Sequence, residues 1–212
     1  MERDSEKTRQ AILKAVGDLL AEEGFQQIGV NAIARRAGVD KVLIYRYFGS
    51  LSGLLAELGR SRDFWPDNEA MLNGLEDDES LHPAALSAEL LNRHLNHMLC
   101  SPATREILRW ELSQRNELTD ILAKVREEQG IELMAGLGME AWEDAGMDLA
   151  AIGAIIHAGL SYLAIRSDSA DVYMGVDLTS EDGWDRIRTA IQYMMTLFLY
   201  DRGEDSDRGT EK

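Results

Sequence analysis

Apolar residues recur every three or four positions along most of this 212-residue chain, and only Pro66, Pro83 and Pro102 can interrupt the pattern. That period puts one apolar stripe on each of a series of helices, and so few prolines leave long helices unbroken. Ile12, Leu13, Val16, Leu19 and Leu20 form the first stripe over 8–23, with Ser5 expected as N-cap and Gly24 as the stop. Val30, Ile33, Ala34 and Ala37 then mark a two-turn helix closed by Gly38, and Ile44 and Phe48 mark another over 41–48. Two short helices joined by a glycine-containing turn make a helix-turn-helix unit.

Beyond Gly49 the stripes lengthen. Leu51, Leu54, Leu55 and Leu58 begin a helix, 66–80 reads as a helix end and acidic loop, and Pro83 opens the next helix. Ser101 and Pro102 start a run that stays helical to about residue 145, and Asp148 can cap a very apolar helix reaching 165. Residues 168–182 read as an irregular acidic connection without strands, and Thr179 with Asp182 has the capping-box form before a last helix over 184–199. The expected fold is all-α with about nine helices. It divides into an N-terminal helix-turn-helix domain at 1–54, a larger helical domain at 55–201 and a disordered polar tail at 202–212.

The formal charge is −16, a poor match to a polyanion if it were evenly spread. It is not: residues 1–62 hold ten basic and eight acidic side chains, and the remaining 150 hold twelve basic and thirty acidic. DNA can therefore approach the first third of the chain, because the relevant field is local and screened within ~8 Å. No apolar run reaches the ~20 residues of a membrane span, the N-terminus opens charged, and Cys100 is the lone cysteine. A reduced cytoplasmic protein without membrane contact is expected.

Within 24–48, the run Ile33-Ala34-Arg35-Arg36-Ala37-Gly38-Val39 followed by Ile44-Tyr45-Arg46-Tyr47-Phe48 resembles the signature of the TetR/AcrR family of bacterial transcriptional regulators. The close likeness covers about residues 8–55, and beyond it only length and helical character agree. By that resemblance, base and phosphate contacts fall on Asn31, Lys41, Val42, Leu43, Tyr45, Arg46 and Tyr47. Their chemistry is suited to it: Lys41 and Arg46 match phosphate or guanine, Asn31 a base edge, the tyrosine hydroxyls phosphate, and Val42 and Leu43 thymine methyls. Val42 and Leu43 stand where the family usually has Gly and Thr, Leu51 where it has a phosphate-binding Lys, and Gly29 where it has Ser or Thr. Lys7 and Arg9 of the first helix are the basic residues that could make up the missing charge.

Candidate effector contacts in the larger domain are Trp65, His94, Met98, Arg109, Trp110 and Met134, the aromatic, polarisable and basic residues of its central helices. The last two helices are too apolar for solvent. Ile152, Ile155, Ile156, Gly159, Leu160, Leu163, Ile187, Ile191, Met194 and Leu197 are therefore expected at a two-fold dimer interface, as the resemblance implies. His94 and His97 lie three apart but lack an H-E-x-x-H context, and no catalytic triad, phosphate loop or calcium loop is present. No metal, cofactor or enzymatic activity is expected. The expectation is a homodimeric repressor released from a palindromic double-stranded DNA operator by a small-molecule effector. The alternative from another class is an acidic helical adaptor that binds protein partners.

Overall fold

The computed structural model describes residues 2–61, 65, 68–75, 83–136 and 148–200. The expected tail at 202–212 and the expected helical stretch 137–145 lie outside them. Ten α-helices occur among the described residues: α1 Glu2–Glu23, α2 Val30–Ala37, α3 Lys41–Phe48, α4 Leu51–Gly59, α5 Asn68–Leu72, α6 Pro83–Cys100, α7 Pro102–Ser113, α8 Glu117–Gly136, α9 Leu149–Arg166 and α10 Glu181–Tyr200. One 3-10 turn, Phe25–Gln27, and one antiparallel pair, β1 Val172–Tyr173 with β2 Val176–Asp177, complete the set. Among the described residues no helix is long and apolar enough to cross a membrane.

The chain divides into two compact units, Met1–Asn68 with His97–Ala154, and Glu69–Asn96 with Ile155–Lys212. In the first, α1 lies against α2, α4 and α7, and α4 lies against α8. Ile12, Leu19, Leu20, Ile33, Ile44, Leu54, Leu55, Ile107 and Leu122 are fully buried in one cluster. The helix-turn-helix is thus held by the same core as α7 and α8. In the second unit, Trp184 and Ile191 of α10 and Leu160 of α9 are buried. There the Trp184 Nε1–H donates to the Leu178 carbonyl at 3.0 Å, and Arg93 donates to the carbonyls of Met71 and Asn73 at 2.9 Å each.

Several helix ends follow the expected chemistry. Gly38 closes α2 at φ 67 and ψ 31, a left-handed conformation in which its N–H reaches back to the Ala34 and Arg35 carbonyls. Ser101 accepts from the Thr104 N–H at 3.2 Å, and Asp148 from the Ala151 N–H at 2.8 Å. Gly29 starts α2 with no side-chain cap.

Four expectations are corrected. Ser5 lies inside α1, which already runs from Glu2, so it caps nothing. The run after Pro102 is broken at Gln114, which turns extended, and Asn116 Oδ1 then accepts from the Leu118 and Thr119 N–H groups at 2.9 and 3.1 Å to start α8. An asparagine side chain that satisfies free helical N–H groups makes such an interruption inexpensive. The connection over 168–182 is not irregular: it holds the β1–β2 hairpin, turned by Met174 and Gly175, both at positive φ. Thr179 is not the cap of the last helix, because its hydroxyl and N–H both donate to Asp177 Oδ1; Ser180 takes that place and accepts from the Gly183 N–H at 3.2 Å.

Candidate nucleic-acid interface

The second helix of the helix-turn-helix is short, so its start needs help. Asp40 supplies it by accepting from the Val42 N–H at 2.8 Å, and Ile44, fully buried, anchors the inner face. Anchoring one face of a two-turn helix forces the other outward. Lys41 and Arg46 are exposed, Val42 is 62% and Tyr45 51% exposed, and Leu43 and Tyr47 are half-buried, with the Tyr47 ring edge-on to Phe48 at 6.4 Å. Asn31, on α2, is exposed as well. All seven expected contact residues thus have solvent-accessible surface around one helical corner. Among the described residues neither Lys41 nor Arg46 is in an ion pair, so their charge is available to a polyanion.

Two other basic residues are occupied. Arg36 donates to Glu22 at 2.8 Å and to Glu23 at 2.6 Å, hydrogen bonds that hold its guanidinium above the usual arginine range. Arg9 pairs with Glu57 at 2.9 Å and lies over the Phe48 ring at 5.4 Å. It ties α1 to α4 and to the end of α3, whereas Lys7 is exposed and Lys14, also exposed, is paired with Asp18.

Two contacts join this corner to α7. The Phe25 ring stacks on Trp110 at 5.2 Å with an interplanar angle of 8°, and Glu106 Oε1 accepts from the Phe25 N–H at 3.4 Å. Arg109 in turn is paired with Glu106. Two further contacts join α4 to α8: the Ser52 hydroxyl donates to Glu117 at 3.0 Å, and Arg60 stands 3.9 Å from Glu128.

The expected effector residues separate on inspection. Trp110 and Arg109 serve the connection just described. Met98 is fully buried, and Trp65 is buried with the His97 ring edge-on at 6.4 Å. In the other unit, His94 packs against His157 with ring centroids 4.4 Å apart. The side chain of Met134 lies outside the described residues. What the sequence did not single out is Glu111 on α7 with Arg126 on α8: the two are paired, and Arg126 stands 5.9 Å from the Trp65 ring centroid. Burial pushes the Glu111 carboxyl up, with the Arg126 charge opposing. Fifteen residues separate the partners, so no local pattern could have revealed them. Among the described residues no three His, Cys, Asp or Glu side chains stand close enough to hold a metal ion.

Of the expected interface residues, Leu160, Ile187 and Ile191 are buried within the chain itself and belong to its core. Ile155 is 73% exposed, Gly159 and Leu197 are exposed, and Ile152, Ile156, Leu163 and Met194 are half-buried. Tyr162 and Tyr193 extend this outward-facing set. An open groove of about 750 Å³ runs along α10, lined by Asp182, Asp185, Arg186, Thr189, Ala190 and Tyr193.

Residues 12–58 match the family described as bacterial regulatory proteins, tetR family. The uncharacterized HTH-type transcriptional regulator YdeS of Bacillus subtilis (strain 168) is 40% identical over 52 residues, which span 24% of this chain and 26% of that protein. The chain thus spans about a quarter of the length of the curated relative it matches. The fold as a whole is similar to that of the transcriptional regulator FadR from Bacillus subtilis, solved in complex with stearoyl-CoA. That likeness has a TM-score of 0.66 and 19% identity, over 88% of this chain and 96% of that one. It is similar also to NalD, the secondary repressor of the MexAB-OprM multidrug efflux pump in Pseudomonas aeruginosa, at TM-score 0.64 and 22% identity over 94% of this chain and 100% of that one. With their signature on α2 and α3, residues 12–58 form an N-terminal domain that matches the tetR family of bacterial regulatory proteins.

Proposed function

We propose that the protein is a homodimeric repressor that binds a palindromic DNA operator and leaves it when a small molecule occupies the helical body. The observation that carries this reading is the outward rim of α3, where Lys41 and Arg46, in no ion pair among the described residues, and the Tyr45 ring surround a helix anchored by Ile44. Such a helix fits a major groove ~12 Å wide, with Lys41 to Leu43 at the base edges and Arg46, Tyr45 and Tyr47 at phosphates. A dimer through the exposed faces of α9 and α10 would present two such helices to half-sites one DNA turn, ~34 Å, apart.

The working division is a DNA-reading head at 1–54 and an effector and dimerisation body at 55–201. Gly49 to Leu58 is the expected hinge. The Phe25–Trp110 stack and the Glu106 contact support a second route from α7 into the head. An effector that fits better when the heads are wrongly spaced needs a coupling of only ~1 to 3 kcal/mol to lower operator affinity ~5 to 150-fold. The FadR structure holds stearoyl-CoA and NalD is named a repressor, which supports an effector chamber and a negative role for the same architecture here.

Selection of binding sites from random DNA by the full chain tests this directly. A palindrome with half-site centres about one turn apart is expected. No enrichment, or enrichment of a single asymmetric half-site, overturns it.

A further inference from the structure

The interior of the first unit carries polar groups that its own packing does not satisfy. Glu111 has only 11% of its side chain exposed; its Oε2 accepts from Arg126, and its Oε1 is buried and receives no hydrogen bond among the described residues. Gln129 lies three residues beyond Arg126, on the same face of α8. Its carbonyl accepts from Asn68 Nδ2 at 3.3 Å, but its side-chain Oε1 is a second buried acceptor with no donor among the described residues. Arg126 faces the buried Trp65 ring, which His97 meets edge-on. A carboxylate oxygen and an amide oxygen accept and cannot donate, and leaving such atoms unpaired in a low-dielectric interior is costly.

A plain brace between α7 and α8 would be satisfied by one carboxylate and one guanidinium. On Glu111 and Gln129 the surplus is of acceptors; the orphaned donor of this unit among the described residues, Trp110 Nε1–H, belongs to the ring that stacks on Phe25. Paired, Glu111 and Arg126 are together neutral, so the surplus oxygens call for a donor, either a neutral O–H or N–H or the N–H of an ammonium. A second carboxylate brought beside Glu111 would meet like charge in a buried place.

Resting on the reading of the helical body as an effector receptor, we propose that Glu111 and Gln129 form its polar recognition site, selecting an apolar effector headed by an amine, amide or hydroxyl donor over one headed by a carboxylate or ester. Glu111 is then a specificity-determining residue, Arg126 positions it, and Trp65 flanks the apolar part of the ligand. Its neighbour in sequence, Trp110, carries the stack on Phe25, so the recognition site and the link to the DNA-reading corner lie on consecutive residues of α7.

The test uses the full chain and four probes with one apolar body: naphthylmethylamine, naphthylmethanol, methyl naphthoate and naphthoate. Binding is read by calorimetric titration and thermal shift. The amine and the alcohol are expected to bind at least about tenfold tighter than the ester and the carboxylate, a difference of about 1.4 kcal/mol. Gln129→Met should weaken the two donor probes several-fold and leave naphthoate unchanged. Glu111→Gln alone strands the Arg126 charge, so the double variant Glu111→Leu/Arg126→Met, which removes both charges together, keeps the fold measurable; it should erase the preference. Equal or tighter binding of the carboxylate or ester, or a preference that survives in the double variant, overturns the proposal. So does the failure of every probe to bind at millimolar concentration while the protein still binds its selected DNA, which leaves the regulator reading intact. Donor preference in a protein that selects no DNA keeps the site and removes the regulator reading instead.

Discussion

Replacing Arg46 by Ala should change how DNA binding responds to salt and leave the protein's stability alone, whereas replacing Arg36 by Ala should do neither in the same way. Arg46 is exposed and outside any ion pair among the described residues, so its removal should shift unfolding free energy by no more than ~0.5 kcal/mol. If each protomer places Arg46 on one phosphate, a dimer loses two contacts. The slope of log K against log salt then falls by about 0.9 for each, or about 1.8 in all. Between about 50 and 200 mM salt, the variant should therefore lose about twelvefold less affinity than the parent. Arg36 sits in the same motif but is committed to Glu22 and Glu23, so its charge is already neutralised and its substitution should leave the slope essentially unchanged. Fluorescence anisotropy with the selected operator over a salt series measures the slopes, and urea denaturation measures stability. An Arg46→Ala protein that unfolds early would mean the side chain is structural. An equal loss of slope in the Arg36 variant would mean that exposure and pairing do not decide which cations meet DNA.

Three further outcomes are expected. In a double-mutant cycle, Phe25→Ala and Trp110→Ala should be non-additive by ~0.5 to 1.5 kcal/mol in urea denaturation, the worth of a stacked aromatic pair; additivity would mean that the rings are merely adjacent. Gly53→Ala should destabilise by ~1 to 3 kcal/mol, because a Cβ there would stand 2.1 Å from the Phe48 carbonyl oxygen. Helix propensity alone predicts the opposite sign, about 1 kcal/mol of stabilisation, so the thermal shift decides between them. For Asp177, side-chain and backbone hydrogen bonds from Thr179 hold the carboxyl below its ordinary 3.8, so its stabilising effect is complete above that value and is lost as pH falls through the lower folded-state value. The thermal-stability gap between the parent and Asp177→Asn should be constant near neutral pH and close below pH 3.8. A gap that widens on acidification would reverse the sign of this argument.

The helices and the helix-turn-helix corner are legible in the sequence because both depend on neighbours along the chain. Ile33, Ala34, Ala37 and Ile44 recur at helical spacing, and Gly38 is the residue type that tolerates the left-handed close of α2. The hairpin at 172–177 was missed because two-residue strands leave no period to detect, and its turn uses Met174 at positive φ where a glycine or asparagine would have signalled it. Ser5 and Thr179 had the right chemistry for caps, but the first was overtaken by an earlier helix start and the second was drawn to Asp177.

Local chemistry alone therefore settled that this chain is helical, that its first third carries a helix-turn-helix, and that Lys41 to Tyr47 lie on its second helix. Tertiary structure decided which cations are free, since Arg36 and Arg9 look no different from Arg46 until Glu22, Glu23 and Glu57 are brought to them. It also decided that Leu160, Ile187 and Ile191 face inward, and it alone paired Glu111 with Arg126. The physical reason is range: helix period, caps and turns act over three or four residues, whereas charge neutralisation and burial depend on partners that only the folded chain brings within a few ångströms.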